Sequence, residues 1–269
     1  MEGEHRLSSA AAALELSQAA QQAQAVRPLR NRVQDSSLES AYAVQELQTR
    51  TGLTAGRRLV GRKVGLTSAA VQRQLGVDRP DFGMLFDDMN VPTGEFVPHG
   101  RLIQPKVEGE VAFLMGRELV GDPLTLADAV QAVEAVCAAI EIVDSRIENW
   151  DIGLFDTVAD NGSSGLYVLG QDFRSLPGLD LDTCGMVMDQ DGEAVSFGVG
   201  AACLGHPLKA LVWLARTMVA CGRPLGPGDI VLSGALGPMT VARPGSVYSA
   251  RIAGLGRVQV GFPAPLSSP

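Results

Sequence analysis

Two glutamates stand one residue apart in Val107-Glu108-Gly109-Glu110-Val111, and a third acid, Glu141, lies within the apolar run Ala138-Ala139-Ile140-Glu141-Ile142-Val143. In an extended strand, side chains i and i+2 project to one face about 6.5–7 Å apart, so both carboxylates can reach one cation between them. A carboxylate on an otherwise apolar strand is costly to bury unless it is paired or coordinating. Three carboxylates with no His or thiolate select a hard cation, Mg²⁺ or Mn²⁺ rather than Zn²⁺ or copper. Together they outweigh the charge of a divalent ion, so an anionic substrate would be repelled unless a cation stood nearby. Lys63, in Gly61-Arg62-Lys63-Val64-Gly65-Leu66, is the candidate. Strand alternation sends Arg62 and Lys63 to opposite faces, and an inward Lys beside metal-bound acids could neutralise a substrate carboxylate and shuttle a proton. The competing reading of this pair is two ordinary surface cations.

Two further segments have the composition of ligand-facing loops. Asp156-Thr157-Val158-Ala159-Asp160-Asn161-Gly162-Ser163-Ser164-Gly165 offers hydroxyls, amides and backbone N–H groups, although an Asx-rich turn without a ligand would look the same. In Leu232-Ser233-Gly234-Ala235-Leu236-Gly237-Pro238, Gly after a buried strand either admits a substrate close to the backbone or simply ends the strand.

The elements that must position these groups divide near residue 56, giving an N-terminal helical segment over 1–55 and a catalytic body over 56–269. Leu7 to Val26 is rich in Ala, Gln, Leu and Glu, without Gly or Pro, and Pro28 closes it. Ser36-x-x-Glu39 reads as a capping box that opens a second helix ending near Gly52. Beyond it, short apolar runs punctuated by Gly and Pro predict an α+β, strand-rich body. Arg58 to Leu66 is a strand, and Thr67 or Ser68 caps a helix through Gln74. The Glu-x-Glu strand spans 107–115, and a helix from Thr125 to about Val136 leads into the Glu141 strand. Asp191-Gly192 suggests a hairpin, His206-Pro207 opens a helix through Cys221, and Ile230 to Ser233 is a buried strand. Two or three strands follow, and the tail after Phe262 frays.

Composition narrows the class. With 269 residues, 46% hydrophobic and 19% charged, the chain can build a substantial core. A net charge of −8 and 5% aromatic residues argue against a nucleic-acid partner. No apolar stretch reaches membrane-spanning length and no signal peptide is legible, so a cytoplasmic protein without a membrane partner is expected. Cys137, Cys184, Cys203 and Cys221 are irregularly spaced, which predicts reduced, buried thiols rather than a zinc site. His5, His99 and His206 show no metal or triad spacing.

Six motifs then occur in a familiar order: Gly61-Arg62-Lys63-Val64-Gly65-Leu66-Thr67-Ser68, Pro80-Asp81-Phe82-Gly83, Glu108-Gly109-Glu110, Glu141-Ile142-Val143-Asp144-Ser145-Arg146, Asp156 to Asn161, and Leu232 to Gly237. In this the chain resembles the 2-keto-4-pentenoate hydratases of the fumarylacetoacetate hydrolase superfamily, over nearly its whole length. The resemblance implies a mixed, strand-rich fumarylacetoacetate-hydrolase-like fold with an N-terminal helical part. It implies a divalent metal, Mg or Mn, on Glu108, Glu110 and Glu141, and acid/base work by Lys63 and Asp81. Asn161, Ser163, Ser233 and Gly234 would bind substrate or water. The implied reaction is hydration of a small-molecule 2-hydroxydienoate, 2-hydroxypenta-2,4-dienoate, to 4-hydroxy-2-oxopentanoate in meta-cleavage breakdown of aromatic compounds. The implied assembly is a homo-oligomer, and association with a paralogous decarboxylase stays open. Gly109 and Gly162 depart from the pattern, since Ala or another small residue is expected at the first and Ala at the second.

Rival readings are a 4-oxalocrotonate (2-oxo-3-hexenedioate) decarboxylase, a hydratase of a longer or dicarboxylic dienoate, and an inactive partner subunit with a structural metal. Asp81 favours hydration, because an apolar residue is expected there in the decarboxylase branch. Acyl-pyruvate hydrolysis is weaker still, for want of a His-Glu pair to activate water.

Overall fold

The computed structural model describes residues 6–68, 72, 77 and 79–265. The helix expected from Thr67 or Ser68 through Gln74 lies mostly outside the described residues, as does the end of the C-terminal tail.

The N-terminal helices are α1, Ser9–Gln22, and α2, Leu38–Thr54. α1 is shorter at both ends than the Ala-rich run suggested, because Ser8 caps it and Ala23 turns left-handed at its exit. The cap of α2 is Ser37, not Ser36: the Ser37 hydroxyl accepts from Ser40 N–H, while Asp35 receives both the backbone N–H and the hydroxyl of Ser37. That Asx turn fixes Ser37 in extended backbone and moves the helix start by one residue.

The body is built on a seven-stranded mixed sheet. Its main path pairs β2 (Asp81–Phe86), β1 (Leu59–Gly65), β8 (Ile230–Ala235), β3 (Lys106–Met115), β4 (Val133–Val143) and β5 (Ser164–Leu169), and β9 (Thr240–Val241) adds to β3. β1 and β8 run parallel, and the other neighbours run antiparallel. A second sheet of four strands orders β11 (Gly256–Gly261), β10 (Val247–Ile252), β6 (Gly185–Gln190) and β7 (Glu193–Val199). The hairpin at Asp191-Gly192 joins β6 to β7, with both residues at positive φ. β10 and β11 pack across β4, burying Val107, Val111, Ile140, Met188, Tyr248 and Val258 between the sheets.

α3 (Leu126–Ala132) stops four residues before the expected Val136, because Val133 is already extended as the first residue of β4. α5 (Pro207–Ala220) begins at the expected His206-Pro207, with the imidazole accepting from Leu208 N–H. A segment read as a polar loop holds a short helix, α4 (Leu154–Ala159). Asp156 makes that helix possible: buried, it accepts from the N–H groups of Gly153, Leu29 and Arg30 and from the Arg30 guanidinium. All four cysteines are free; three are buried, whereas Cys221, the residue that follows the last turn of α5, is exposed.

α1 and α2 share a separate apolar cluster with Leu29, Val33, Ile147, Phe155 and Val158. Polar contacts extend this packing towards β2. The amide of the buried Gln45 donates to the carbonyls of Phe82 and Val158, Gln48 donates to Ala159, and Tyr42 stacks on Phe82 with centroids 4.6 Å apart. α2 therefore holds the backbone that follows Asp81. Replacing Ser37 by Ala should cost about 1 kcal/mol in denaturant unfolding, and Ser36→Ala close to nothing; equal losses would contradict the assigned cap.

Candidate active site

The register of β3 on β4 decides the site. Glu108 lies directly opposite Glu141, and Glu110 follows on the same face of β3. One ligand oxygen from each of the three lies within 4.8 Å of the others. Glu110 and Glu141 are buried and Glu108 is partly exposed, so the cluster has one open side. Glu110 Oε2 accepts from Gly234 N–H at 2.8 Å, whereas Glu110 Oε1 and Glu141 Oε1 accept no hydrogen bond despite being buried. Glu110 Oε1 has no partner and Glu141 Oε1 faces only the Lys63 ammonium; buried carboxylate oxygens left this bare at this spacing fit a hard divalent cation, the ion the donor set selects.

Lys63 is the inward member of the Arg62/Lys63 pair at this cluster, with Nζ 3.2 Å from Glu141 Oε1. Arg62 is buried as well, on the opposite side near Asp229 at 3.8 Å, so neither is a surface cation. Two glycines make room for the Lys63 ammonium. A Cβ on Gly65 would lie 2.1 Å from Asp81 Oδ1 and 3.3 Å from Lys63 Nζ, and one on Gly162 would lie 2.7 Å from Lys63 Cε. Asp81 thus closes on the same space as the ammonium, and Gly162, at φ 63°, fits it without strain. The departure to Gly at 162 leaves Lys63 its position, where an Ala would have to push it aside. At Gly109 a Cβ would come within 3.1 Å of Met186, a contact that thioether can relieve by a small shift.

Electrostatics follow from crowding acids in a dry site. Burial pushes the Glu108 carboxyl up to about 7, with Glu141 adding to the rise and Lys63 opposing it. Glu110 is raised well above the ordinary range by burial and by the charges of Glu141 and Glu108. Burial also raises Asp81, against the pull of Lys63. For Lys63, burial favours the neutral amine, but Glu141, Asp81, Glu108 and Glu110 outweigh it and hold the ammonium above its ordinary value.

The remaining candidates divide by what their polar groups touch. Ser163 is buried, its hydroxyl 3.4 Å from that of Thr157, which in turn stands 3.5 Å from Asp81 Oδ2. Asn161 is committed to the backbone: its amide accepts from Met84 N–H and donates to Met84 carbonyl, fastening the 161–163 turn to β2. The Ser233 hydroxyl meets Gly234 carbonyl at 3.3 Å, and the Gly234 N–H is spent on Glu110.

Residues 62–262 match the family model for the fumarylacetoacetate (FAA) hydrolase C-terminal region. Over 238 residues the chain is 58% identical to the TodF product hydratase of Pseudomonas putida, spanning 88% of this chain and 89% of the relative. Over 256 residues it is 57% identical to 2-keto-4-pentenoate hydratase 1 of Dechloromonas aromatica, spanning 95% and 97%. The chain belongs to the 2-keto-4-pentenoate hydratases of the fumarylacetoacetate hydrolase superfamily. Among solved structures, 4-oxalocrotonate decarboxylase from Pseudomonas putida G7, complexed with magnesium and adipate, matches with a TM-score of 0.91 at 34% identity, covering 96% of this chain and 100% of that one. The hydratase membership and the decarboxylase likeness agree on a shared scaffold and differ in identity by more than twenty percentage points.

Three residues around the cluster stand outside the candidates named from the sequence. Thr157 was read only as part of a polar loop. Arg146, within a motif of the resemblance, ties that loop in place: buried, it donates to Asp160 Oδ1 and to the carbonyls of Asp144, Asp160 and Ser164. Lys106 precedes Glu108 by two residues on the same strand, so alternation alone could have placed it on the acidic face.

Protons and a cation compete for the same carboxylate oxygens, and Glu108 titrates near 7 in the ion-free site. Lowering pH from about 8 to about 6 should weaken Mg²⁺ or Mn²⁺ binding at least about tenfold in calorimetric titration. A flat affinity over that range would contradict the assigned ligands.

Proposed function

We propose that this chain hydrates 2-hydroxypenta-2,4-dienoate to 4-hydroxy-2-oxopentanoate, using a divalent ion, Mg²⁺ or Mn²⁺, held by Glu108, Glu110 and Glu141. The observation that carries the reading is Asp81 and Lys63 crowded together beside the three-glutamate cluster. Relatives 57% and 58% identical bear hydratase names, and the matching decarboxylase structure contains magnesium and the dicarboxylate adipate.

The reaction moves two protons and one water. The dienol loses its C2 hydroxyl proton and gains one at C5, giving a 2-oxo-3-enoate whose C4 is electrophilic through conjugation with the ketone. Water then adds its oxygen to C4, its proton is taken up, and C3 is protonated. The bound ion would supply Lewis-acid stabilisation of negative charge at the C2 oxygen. Asp81, its carboxyl raised by burial against the pull of Lys63, is the better match for giving and taking protons. Lys63, held as an ammonium by its carboxylate neighbours, keeps positive charge beside Asp81 and shares the proton transfers with it. Ser163 faces this pair through Thr157, which supports a role in orienting water. Asn161 and Gly234 serve the site through the turn of 161–163 and through Glu110, while Ser233 lies in the same strand end.

A homo-oligomer is part of the proposal. Phe197, Val195 and Val199 leave an apolar row exposed along β7, a composition suited to a protein interface.

Incubating the Mg²⁺-loaded protein with the pentadienoate and with 2-oxo-3-hexenedioate, and following dienol absorbance and CO₂ release, separates hydration from decarboxylation. Loss of dienol without CO₂ is expected. Lys63→Ala, Asp81→Asn and Glu108→Ala should each lower turnover by about 100-fold or more. Turnover within a few-fold of the parent in Lys63→Ala or Glu108→Ala would overturn the assignment.

A further inference from the structure

The opening of the carboxylate cluster carries a cation that the hydration chemistry does not use. Lys106, Glu108 and Glu110 are alternate residues of β3, and the pairing with β4 is regular from Lys106 through Leu114, so all three side chains leave the same face. Lys106 stands two residues before Glu108, the partly exposed glutamate, in the part of β3 that pairs with β9 rather than β8. Strand rise puts its Cα about 6.5–7 Å from that of Glu108.

The Lys106 ammonium is not left to wander. It lies over the indole of Trp150, 4.0 Å from the ring centroid. Trp150 in turn is locked: its Nε1–H donates to Gln104 carbonyl at 2.9 Å, and both Asn149 and Trp150 adopt φ near 56°. A bulky residue in left-handed backbone is strained and persists where surrounding contacts dictate it. A cation resting on an aromatic face keeps its charge available on its outer side while losing little entropy on binding an anion. No carboxylate forms an ion pair with Lys106 among the described contacts.

We propose that Lys106, presented by Trp150, is a substrate-recognition residue that draws the carboxylate of a 2-oxo acid to the open, Glu108 side of the cluster. The inference rests on the hydratase reading for the identity of the anion, and it assigns no proton transfer to Lys106. Trp150 is a positioning residue that acts through the ammonium. The charge logic is direct: three glutamates exceed a dication, and Lys63 is already engaged with Glu141, so a second cation at the entrance offsets the repulsion met by an incoming carboxylate.

Oxalate, a dianion that mimics the acid end of a 2-oxo acid, provides the test in the Mn²⁺-loaded protein. Calorimetry gives its affinity, and fluorescence in a Trp213→Phe background reports on Trp150 alone, since the chain has two tryptophans. Lys106→Met, which keeps the stem that covers the indole, should weaken oxalate about tenfold, leave Mn²⁺ binding within about threefold and flatten the salt dependence of oxalate binding. Lys106→Arg should restore affinity to within about threefold of the parent. Trp150→Leu should raise KM with kcat retained. Oxalate affinity in Lys106→Met within about twofold of the parent, with Mn²⁺ still bound, would overturn the inference. Lys106-dependent oxalate binding in a protein that fails to hydrate the dienoate would instead defeat the hydratase reading and leave this anion site standing.

Discussion

One ammonium faces four carboxylates in a volume from which water is largely excluded, and the rest of the structure can be understood as the means of holding them there. Lys63 can offset one of Glu141, Asp81, Glu108 and Glu110, not all. Either protons or a dication must supply the missing positive charge. Burial and mutual repulsion drive the Glu108 and Glu110 carboxyls upward together, in the direction that favours protonation. An ion held by these carboxylates would take the place of those protons. Metal affinity, proton transfer and pH dependence are thus a single electrostatic problem rather than three.

The fold solves that problem with backbone rather than with flexible side chains. Pairing Glu108 against Glu141 fixes two ligands by strand register, and the Gly234 N–H at the end of β8 fixes the third. A one-residue slip of β3 would turn Glu108 and Glu110 to the opposite face, away from Glu141. Asp81 depends on more distant parts of the chain: Gln45 and Tyr42 of α2 hold the Phe82 backbone, and Asn161 clamps Met84. α2 is therefore part of how Asp81 is positioned, although it contributes none of the atoms of the carboxylate cluster.

The three glutamates were legible because a carboxylate on an apolar strand has few explanations and because strand period is short and regular. Lys63 needed more than period, since alternation said only that Arg62 and Lys63 diverge; both turned out to be buried. Asp81 carried no signal in spacing and entered through the resemblance. What the sequence concealed were roles made by tertiary contact. Asn161 and Gly234 look like ligand-facing groups in a polar or Gly-bearing loop, yet their hydrogen bonds go to Met84 and Glu110. Asp156 looked like part of a loop until its carboxylate was seen gathering N–H groups from residues 29, 30 and 153, which shapes α4. The Ser36/Ser37 choice failed for a similar reason: Asp35, two residues before the true cap, settles which serine leads the helix.

The central claim is that Glu108, Glu110 and Glu141 together hold a single hard dication. Anomalous scattering from crystals loaded with Mn²⁺ tests it most directly. The expected result is one strong peak, in contact with an oxygen of each glutamate and absent from a Glu110→Gln/Glu141→Gln variant that still folds. A peak elsewhere, or one that persists in that variant, would contradict the account.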